Sequence, residues 1–242
     1  MAPSELPVPD LSVVIPCHRE VENLRHLLPD LQATLAETNL DYEIILVDSD
    51  SKDGTQELAA ALKQVQYHLE PAPGYGNALR KGFEVARADY ILTLDADLSH
   101  PAAFLQALWE ARTHDGITIA SRYVPGGYAD QNWFRLQLSR LLNGFFRWGF
   151  SLPYRDMSSG YRLYHRTVFQ RVRPGFDNFV ILLEILLQAH AEGLPIREIP
   201  FHYQPRHTGQ SSARIIAFGL DYLRLFFHLR ILRKARKQTP DA

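Results

Sequence analysis

An α/β architecture, a mainly parallel sheet flanked by helices, follows from two features of this 242-residue chain. Short apolar runs, LSVVIP (11–16), YEIILVD (42–48), YILTLDAD (90–97) and GITIASRY (116–123), are separated by segments with helical periodicity. Strands apolar on both faces need cover on both, which crossover helices give to a parallel sheet. Apolar residues at 46% and charged residues at 22% supply the core for one sizeable folded domain.

The first strand is stopped by Pro16. Leu24, Leu27, Leu28, Leu31 and Leu35 then place 23–38 on a helix, which Pro29 is expected to bend or delay. After the second strand, Asp53 and Gly54 form a turn and Thr55 is a candidate N-cap for the next helix. GYGNALRKGFEVARA (74–88) is a loop and helix, the third strand follows, and PAAFLQALWEARTH is a helix with proline in its first turn. Beyond the fourth strand, Gly126 and Gly127 relieve the backbone of a loop over 124–132. Residues 134–152 form a helix unusually apolar for its length. LPYRDMSSGYRLYHR (152–166) mixes turn and strand signals, 178–193 is a buried helix carrying Glu184, and 195–206 alternates as a strand.

The net charge of −1 gives no global attraction to polyanions, and nucleic acid is not an expected partner. The basic residues Arg224, Arg230, Arg233, Lys234, Arg236 and Lys237 instead make a local positive end. A single cysteine, Cys17, excludes an internal disulfide and a cysteine-built zinc site. The N-terminus has no basic start followed by an apolar run, and no stretch reaches the ~18 apolar residues of a spanning helix, so a cytoplasmic location is expected.

Ligands of open α/β sheets sit beyond the carboxyl ends of the strands. Three polar clusters fall there: CHRE (17–20), DSDSKDG (48–54) and DADLSH (95–100). No glycine-rich phosphate loop follows the first strand, which argues against a dehydrogenase or a simple NTPase. Asp95 and Asp97 on an extended strand would be about 6–7 Å apart on one side, and only a curled backbone brings both to one ion. An oxygen-only site there suits magnesium or manganese shared with a substrate diphosphate. The plainer alternative is that Asp97 or Ser99 caps the helix near Pro101. Asp48, Asp50, Asp53 and Glu20 crowd the same edge, and such repulsion calls for a cation or hydrogen-bond donors. Arg122, Arg135, Arg140, Arg162 and Arg206 are available to neutralise phosphate oxygens.

IPCHREVENL, VDSDSKDGT, DADLSHP, SRY, RLQLSR, SSGYRLYHR and IPFHYQPRHTGQSS occur in that order between residues 15 and 212. The ordered series resembles the dolichol-phosphate mannosyltransferase, or polyprenyl-phosphate glycosyltransferase, group of the inverting family 2 glycosyltransferases. The resemblance implies a GT-A (nucleotide-diphospho-sugar transferase) fold over 11–212, after a flexible N-terminus (1–10) and before a basic amphipathic helix (213–242). It implies that Pro16, His18, Glu20, Val47 and Asp48 line the donor nucleotide pocket, with Asp50 beside the base or ribose. It places Asp95, Asp97 and Ser99 around a Mg2+ or Mn2+ ion and the donor diphosphate, with Arg206 near the same phosphates. Arg122, Arg135 and Ser139 match the acceptor phosphate site, and Asp97, Arg122 and Arg135 carry the catalytic burden. Three places depart from the usual pattern: Ser49–Asp50 for Asp-Gly, Ser212 for lysine, and His18–Arg19 for Tyr-Asn.

The reaction so implied moves a hexose, mannose from GDP-mannose, to a polyprenyl (dolichyl-type) monophosphate. The alternatives are a UDP-glucose donor, a soluble or glycan acceptor, and a non-catalytic sugar-nucleotide-binding protein. A phosphate nucleophile is already anionic, so no strong base is needed, and for Asp156 a turn or an arginine partner is expected. Two amphipathic stretches, around Phe145, Phe146, Trp148 and Phe150 and around Leu225 to Ile231, resemble interfacial helices. The expected partners are a nucleotide sugar, the lipid acceptor, and a membrane surface or a small membrane-anchoring protein on the cytosolic face.

Overall fold

A computed structural model describes residues 7–130 and 133–203. The chain runs β1 (Leu11–Cys17), α1 (Val21–Ala36), β2 (Tyr42–Asp48), α2 (Thr55–Ala60), β3 (Val65–Leu69), α3 (Tyr75–Val85) and β4 (Tyr90–Thr93). A 3-10 turn (Ala102–Phe104) then leads into α4 (Leu105–Glu110), β5 (Ile117–Ser121), β6 (Tyr128–Ala129) and α5 (Trp133–Phe150). The last described elements are β7 (Arg162–His165), α6 (Val168–Arg171), α7 (Ile181–Ala191), β8 (Ile196–Pro200) and β9 (His202–Tyr203).

Seven strands form one sheet in the order β3-β2-β1-β4-β7-β5-β8, and β6 pairs with β9 in a small parallel ribbon. Every pairing in the large sheet is parallel except those of β7, which runs antiparallel to both β4 and β5. The order reverses at β1, so the crevice beyond β1 and β4 is the natural ligand position. Because β7 runs the other way, the residues just before it arrive at the same edge as those just after β4 and β5. This one antiparallel strand adds the loop 156–160 to the crevice.

The five leucines of α1, at 24, 27, 28, 31 and 35, pack with Leu11, Val13, Ile15, Ile44 and Leu46 in one buried cluster. Each fully buried leucine contributes about 1.5–3 kcal/mol, so this face alone fixes α1 on the sheet. Pro29 does not delay the helix: α1 runs through it from Val21 to Ala36. The carbonyl of Arg25, which loses its amide partner to the proline, belongs to an exposed residue. On the other face, α7 is buried along almost its whole length. Its Glu184 is satisfied by the amides of Gly175 and Phe176 at 2.8 and 3.0 Å.

Three further expectations change. β4 ends at Thr93, four residues before the expected strand end, so neither aspartate of DAD lies on a strand. Thr55 is the first residue of α2 rather than its cap; Gly54 holds that place at φ 99°. β3 was not anticipated from VQYHL, since an edge strand of mixed composition lacks the apolar run that marks its neighbours. Within the N-terminal tail, Asp10 donates its amide to Asp41 O at 2.7 Å and accepts the Asp41 amide at 2.9 Å. Arg206 and the basic segment 213–242 lie outside the described residues, as does the side chain of Arg135.

Candidate active site

The parallel register of β1 and β2 sets Pro16 beside Val47 and Cys17 beside Asp48, so their following loops emerge together. The Ser49 amide donates to Cys17 O at 3.2 Å, and His18 Nδ1 donates to Ser49 O at 3.0 Å. Asp48 is buried and accepts from the Ser51 amide (3.2 Å), the Ser51 hydroxyl and the Tyr67 hydroxyl (3.0 Å). Burial and the Asp48 carboxylate push the Tyr67 phenol up to about 12, so it stays a donor at neutral pH. Asp53 accepts the Val21 amide through one oxygen (3.0 Å) and the Thr55 amide through the other (3.1 Å), tying the starts of α1 and α2 together. Burial opposes its ionisation, but hydrogen bonds from Thr55, Val21 and Ser51 hold its carboxyl below the ordinary range.

Glu20 accepts from Asn23 Nδ2 at 2.5 Å. Asp50 is exposed at φ 56° and lies 3.5 Å from Lys52. Burial, then the charges of Asp48, Asp53 and Glu20, raise the Cys17 thiol far above its usual range, so it is no nucleophile. The structure thus gathers Pro16, His18, Glu20, Val47, Asp48 and Asp50 at one edge, with most of the acid demand met by local donors.

The DAD segment curls immediately after β4, with Leu98 at φ 64°. Asp97 is 6% exposed and accepts from the Ser99 amide (3.1 Å) and hydroxyl (2.5 Å). The 3-10 turn that follows has Pro101 as its cap residue and no side-chain cap, so neither Asp97 nor Ser99 caps it. His100 Nδ1 accepts the Asp95 amide at 2.9 Å, closing the loop, while its ring stacks on Tyr161 at 4.9 Å. Asp95 accepts the Tyr75 hydroxyl at 3.0 Å, and Tyr75 stacks on Phe179 with centroids 4.0 Å apart. Gly160, from the loop before β7, comes so close that a Cβ there would lie 2.7 Å from the Tyr75 hydroxyl and 3.1 Å from the Asp95 carboxylate.

Arg122 follows β5. Its Nε and Nη2 donate to the two oxygens of Asp156, both at 2.8 Å, and Nη2 also reaches Ser158 Oγ at 2.8 Å. Its guanidinium carbon lies 5.2 Å from the Tyr123 ring centre and 5.5 Å from that of Tyr203. Tyr123 donates its hydroxyl to Ser139 Oγ of α5 at 2.8 Å. Asn143, one turn on, accepts the Met157 amide at 2.9 Å and so fixes α5 to the loop holding Asp156. Tyr203 also meets His100 edge-on at 6.2 Å, so the aspartate turn and Arg122 lean on one ring. Arg162, expected among the arginines that neutralise phosphate, is instead fully buried and donates to the carbonyls of Ser159, Leu182 and Met157.

Tyr67, Tyr75, His100, Tyr123 and Tyr203 were not singled out from the sequence. His100, Tyr123 and Tyr203 lie within the motifs DADLSHP, SRY and IPFHYQPRHTGQSS, but nothing in the sequence gives them a contact there; Tyr67 and Tyr75 lie outside the motifs, where nothing local distinguishes them from core residues. The donor chemistry of the Asp95–Asp97–Ser99 turn fits a hard divalent cation. Among the described residues no group of three or more His, Cys, Asp or Glu side chains converges on one point. An ion at the turn would therefore draw part of its shell from substrate.

The sequence model of glycosyl transferase family 2 matches residues 12–173. A dolichol-phosphate mannosyltransferase of Pyrococcus furiosus is 32% identical over 228 residues, covering 90% of this chain; the chain spans 63% of that relative's length. A dolichol-phosphate mannosyltransferase of Saccharomyces cerevisiae is 29% identical over 234 residues, covering 89% of this chain and 86% of the relative. Among solved structures, mannosyl-3-phosphoglycerate synthase from Rubrobacter xylanophilus superposes with a TM-score of 0.67 at 19% identity, over 97% of this chain and 77% of that one. Glucosyl-3-phosphoglycerate synthase from Mycobacterium tuberculosis, in complex with Mn2+, UDP and phosphoglyceric acid, gives 0.66 at 18% identity, over 97% and 80%. With the sheet order, the family match and these neighbours in agreement, the chain belongs to glycosyl transferase family 2 and carries a GT-A fold.

Proposed function

We propose that this chain transfers mannose from GDP-mannose to a polyprenyl monophosphate, inverting the anomeric carbon. The observation that carries this reading is the arrangement around Tyr203: a curled carboxylate turn on one side, and on the other an arginine whose neighbour Tyr123 reaches Ser139. The names of the Pyrococcus and Saccharomyces relatives support mannose transfer to a dolichol-type phosphate.

The loops after β1 and β2 orient the nucleoside, with Pro16, His18, Glu20, Val47, Asp48 and Asp50 around it. Asp95, Asp97 and Ser99 hold a Mg2+ or Mn2+ ion, which when bound supplies electrostatic stabilisation to the departing diphosphate. Arg206 adds positive charge beside the same phosphates. Arg122, Arg135 and Ser139 bind the acceptor phosphate, whose oxygen attacks in line. Since that oxygen is already anionic, the work of the site is alignment and charge stabilisation.

A lipid acceptor requires approach to a membrane. No described helix is long and apolar enough to cross one. On α5, Leu141, Phe145 and Trp148 form an exposed stripe at helical spacing, Trp148 at 80% exposure, with Arg140 and Arg147 also exposed. Aromatic and basic residues so arranged suit the headgroup layer on the cytosolic face. Ser139 lies on the same helix, two residues before Leu141.

The test is a Mn2+-dependent assay of radiolabelled GDP-mannose and UDP-glucose with polyprenyl phosphate in detergent. Label should pass to lipid from GDP-mannose, and Asp97→Ala should lower turnover by ~10²-fold or more. Transfer from UDP-glucose alone would overturn the donor, and transfer from neither would overturn the reaction.

A further inference from the structure

Asp156 is a buried carboxylate at the acceptor side of the crevice, and two roles are open to such a group. It can take a proton from an acceptor, or it can hold a neighbouring cation in place. Its contacts discriminate between them. One oxygen accepts the Arg122 amide (3.0 Å) and Nε (2.8 Å). The other accepts Arg122 Nη2 (2.8 Å), the Ser159 amide (3.0 Å), and the amide and hydroxyl of Ser158 (3.3 Å each). The side chain is 0% exposed. Glu198 braces the backbone beneath it, accepting the Asp156 and Arg155 amides at 2.8 Å each.

A carboxylate saturated with donors on both oxygens has no lone pair left for an incoming proton. Burial works against its ionisation, yet the Arg122 charge and hydrogen bonds keep its carboxyl below the ordinary range, which makes it a poorer base still. Arg122 is in the opposite condition. Nε and Nη2 are committed, while Nη1 makes no hydrogen bond to the described residues. The side chain is only 10% exposed, with the rings of Tyr123 and Tyr203 near its guanidinium. An arginine locked along one edge, with the donors of its remaining nitrogen unspent, is prepared for a second oxyanion.

We infer that Asp156 is a positioning residue: it fixes the Arg122 guanidinium so that Nη1 is offered to the phosphoryl group of the acceptor, and it takes no proton during transfer. This rests on the reading of the acceptor as a phosphate monoester. Asp156 also neutralises Arg122 in the absence of substrate, so the buried cation does not depend on substrate for a partner. Ser158 belongs to the same device, since its hydroxyl accepts from Nη2 and donates to the carboxylate.

The test uses the full chain and two readouts: steady-state transfer to polyprenyl phosphate, and calorimetric binding of farnesyl phosphate without donor. Asp156→Asn should raise the acceptor KM and the farnesyl phosphate Kd about tenfold or more, the scale of losing one partner of a buried charge pair. The KM for GDP-mannose should stay within about twofold, since no donor contact is touched. Ser158→Ala should move the acceptor constants the same way by about threefold, the scale of one hydrogen bond, and it carries the test if Asp156→Asn does not fold. A variant that loses turnover with acceptor KM and farnesyl phosphate Kd unchanged would overturn the positioning role. Should the wild type transfer no hexose to lipid, the functional reading fails by itself. Farnesyl phosphate binding weakened by Asp156→Asn would still uphold the role of Asp156, and binding indifferent to it would refute that role.

Discussion

Gly160 shows how little room the aspartate turn has. A methyl group there would press on both the Tyr75 hydroxyl and the Asp95 carboxylate, which are hydrogen-bonded at 3.0 Å. Gly160→Ala should break that bond, and loss of a hydrogen bond to a charged group is worth about 1.5–3 kcal/mol. The Mn2+ concentration giving half-maximal activity should accordingly rise about tenfold or more, and the thermal midpoint should fall by several degrees. An unchanged Mn2+ activation curve would show that Tyr75 does not orient Asp95. At this level the sequence was legible where chemistry is local: Asp95, Asp97 and Ser99 lie in one short run, and Asp97 does accept from Ser99. Tyr75 and Gly160 were illegible because each meets Asp95 only through the folded chain. Arg162 misled for the same reason. An arginine's charge advertises a ligand, but three buried carbonyls claim this one.

Helices and strands were read well where periodicity was strong, as in α1 with its five buried leucines. They were read poorly where an end depended on tertiary pairing. β4 stops at Thr93, paired with Arg162, though apolar Leu94 suggested a longer strand. Among the described residues β3 pairs only with β2, and its polar residues hid it. Among the elements, α5 carries the plainest functional expectation, because Asn143, Phe146 and Phe150 bury one face and leave Leu141, Phe145 and Trp148 outside. Trp148→Ser should weaken binding to anionic phospholipid vesicles roughly tenfold, the scale of withdrawing one large apolar side chain. Vesicle sedimentation measures this directly. Transfer to a short-chain acceptor in detergent should be unaffected, and equal sedimentation of variant and wild type would remove α5 from the membrane surface.

For the molecule as a whole, the parallel order was anticipated, while the consequence of the antiparallel strand was not. β7 brings Asp156, Ser158 and Gly160 to the edge where β1, β2, β4 and β5 discharge their loops. Nothing in SSGYRLYHR states its direction, since strand polarity is set by the path of the chain. The crevice therefore combines local motifs with distant supports, and in the proposed reaction a divalent ion would be held at the Asp95–Asp97 turn beside the donor diphosphate. Mn2+ titration followed by electron paramagnetic resonance, with and without GDP, tests this most directly. GDP should tighten Mn2+ binding to the wild-type chain, and Asp97→Ala should abolish that tightening; a variant that binds Mn2+ with GDP as the wild type does would place the ion elsewhere.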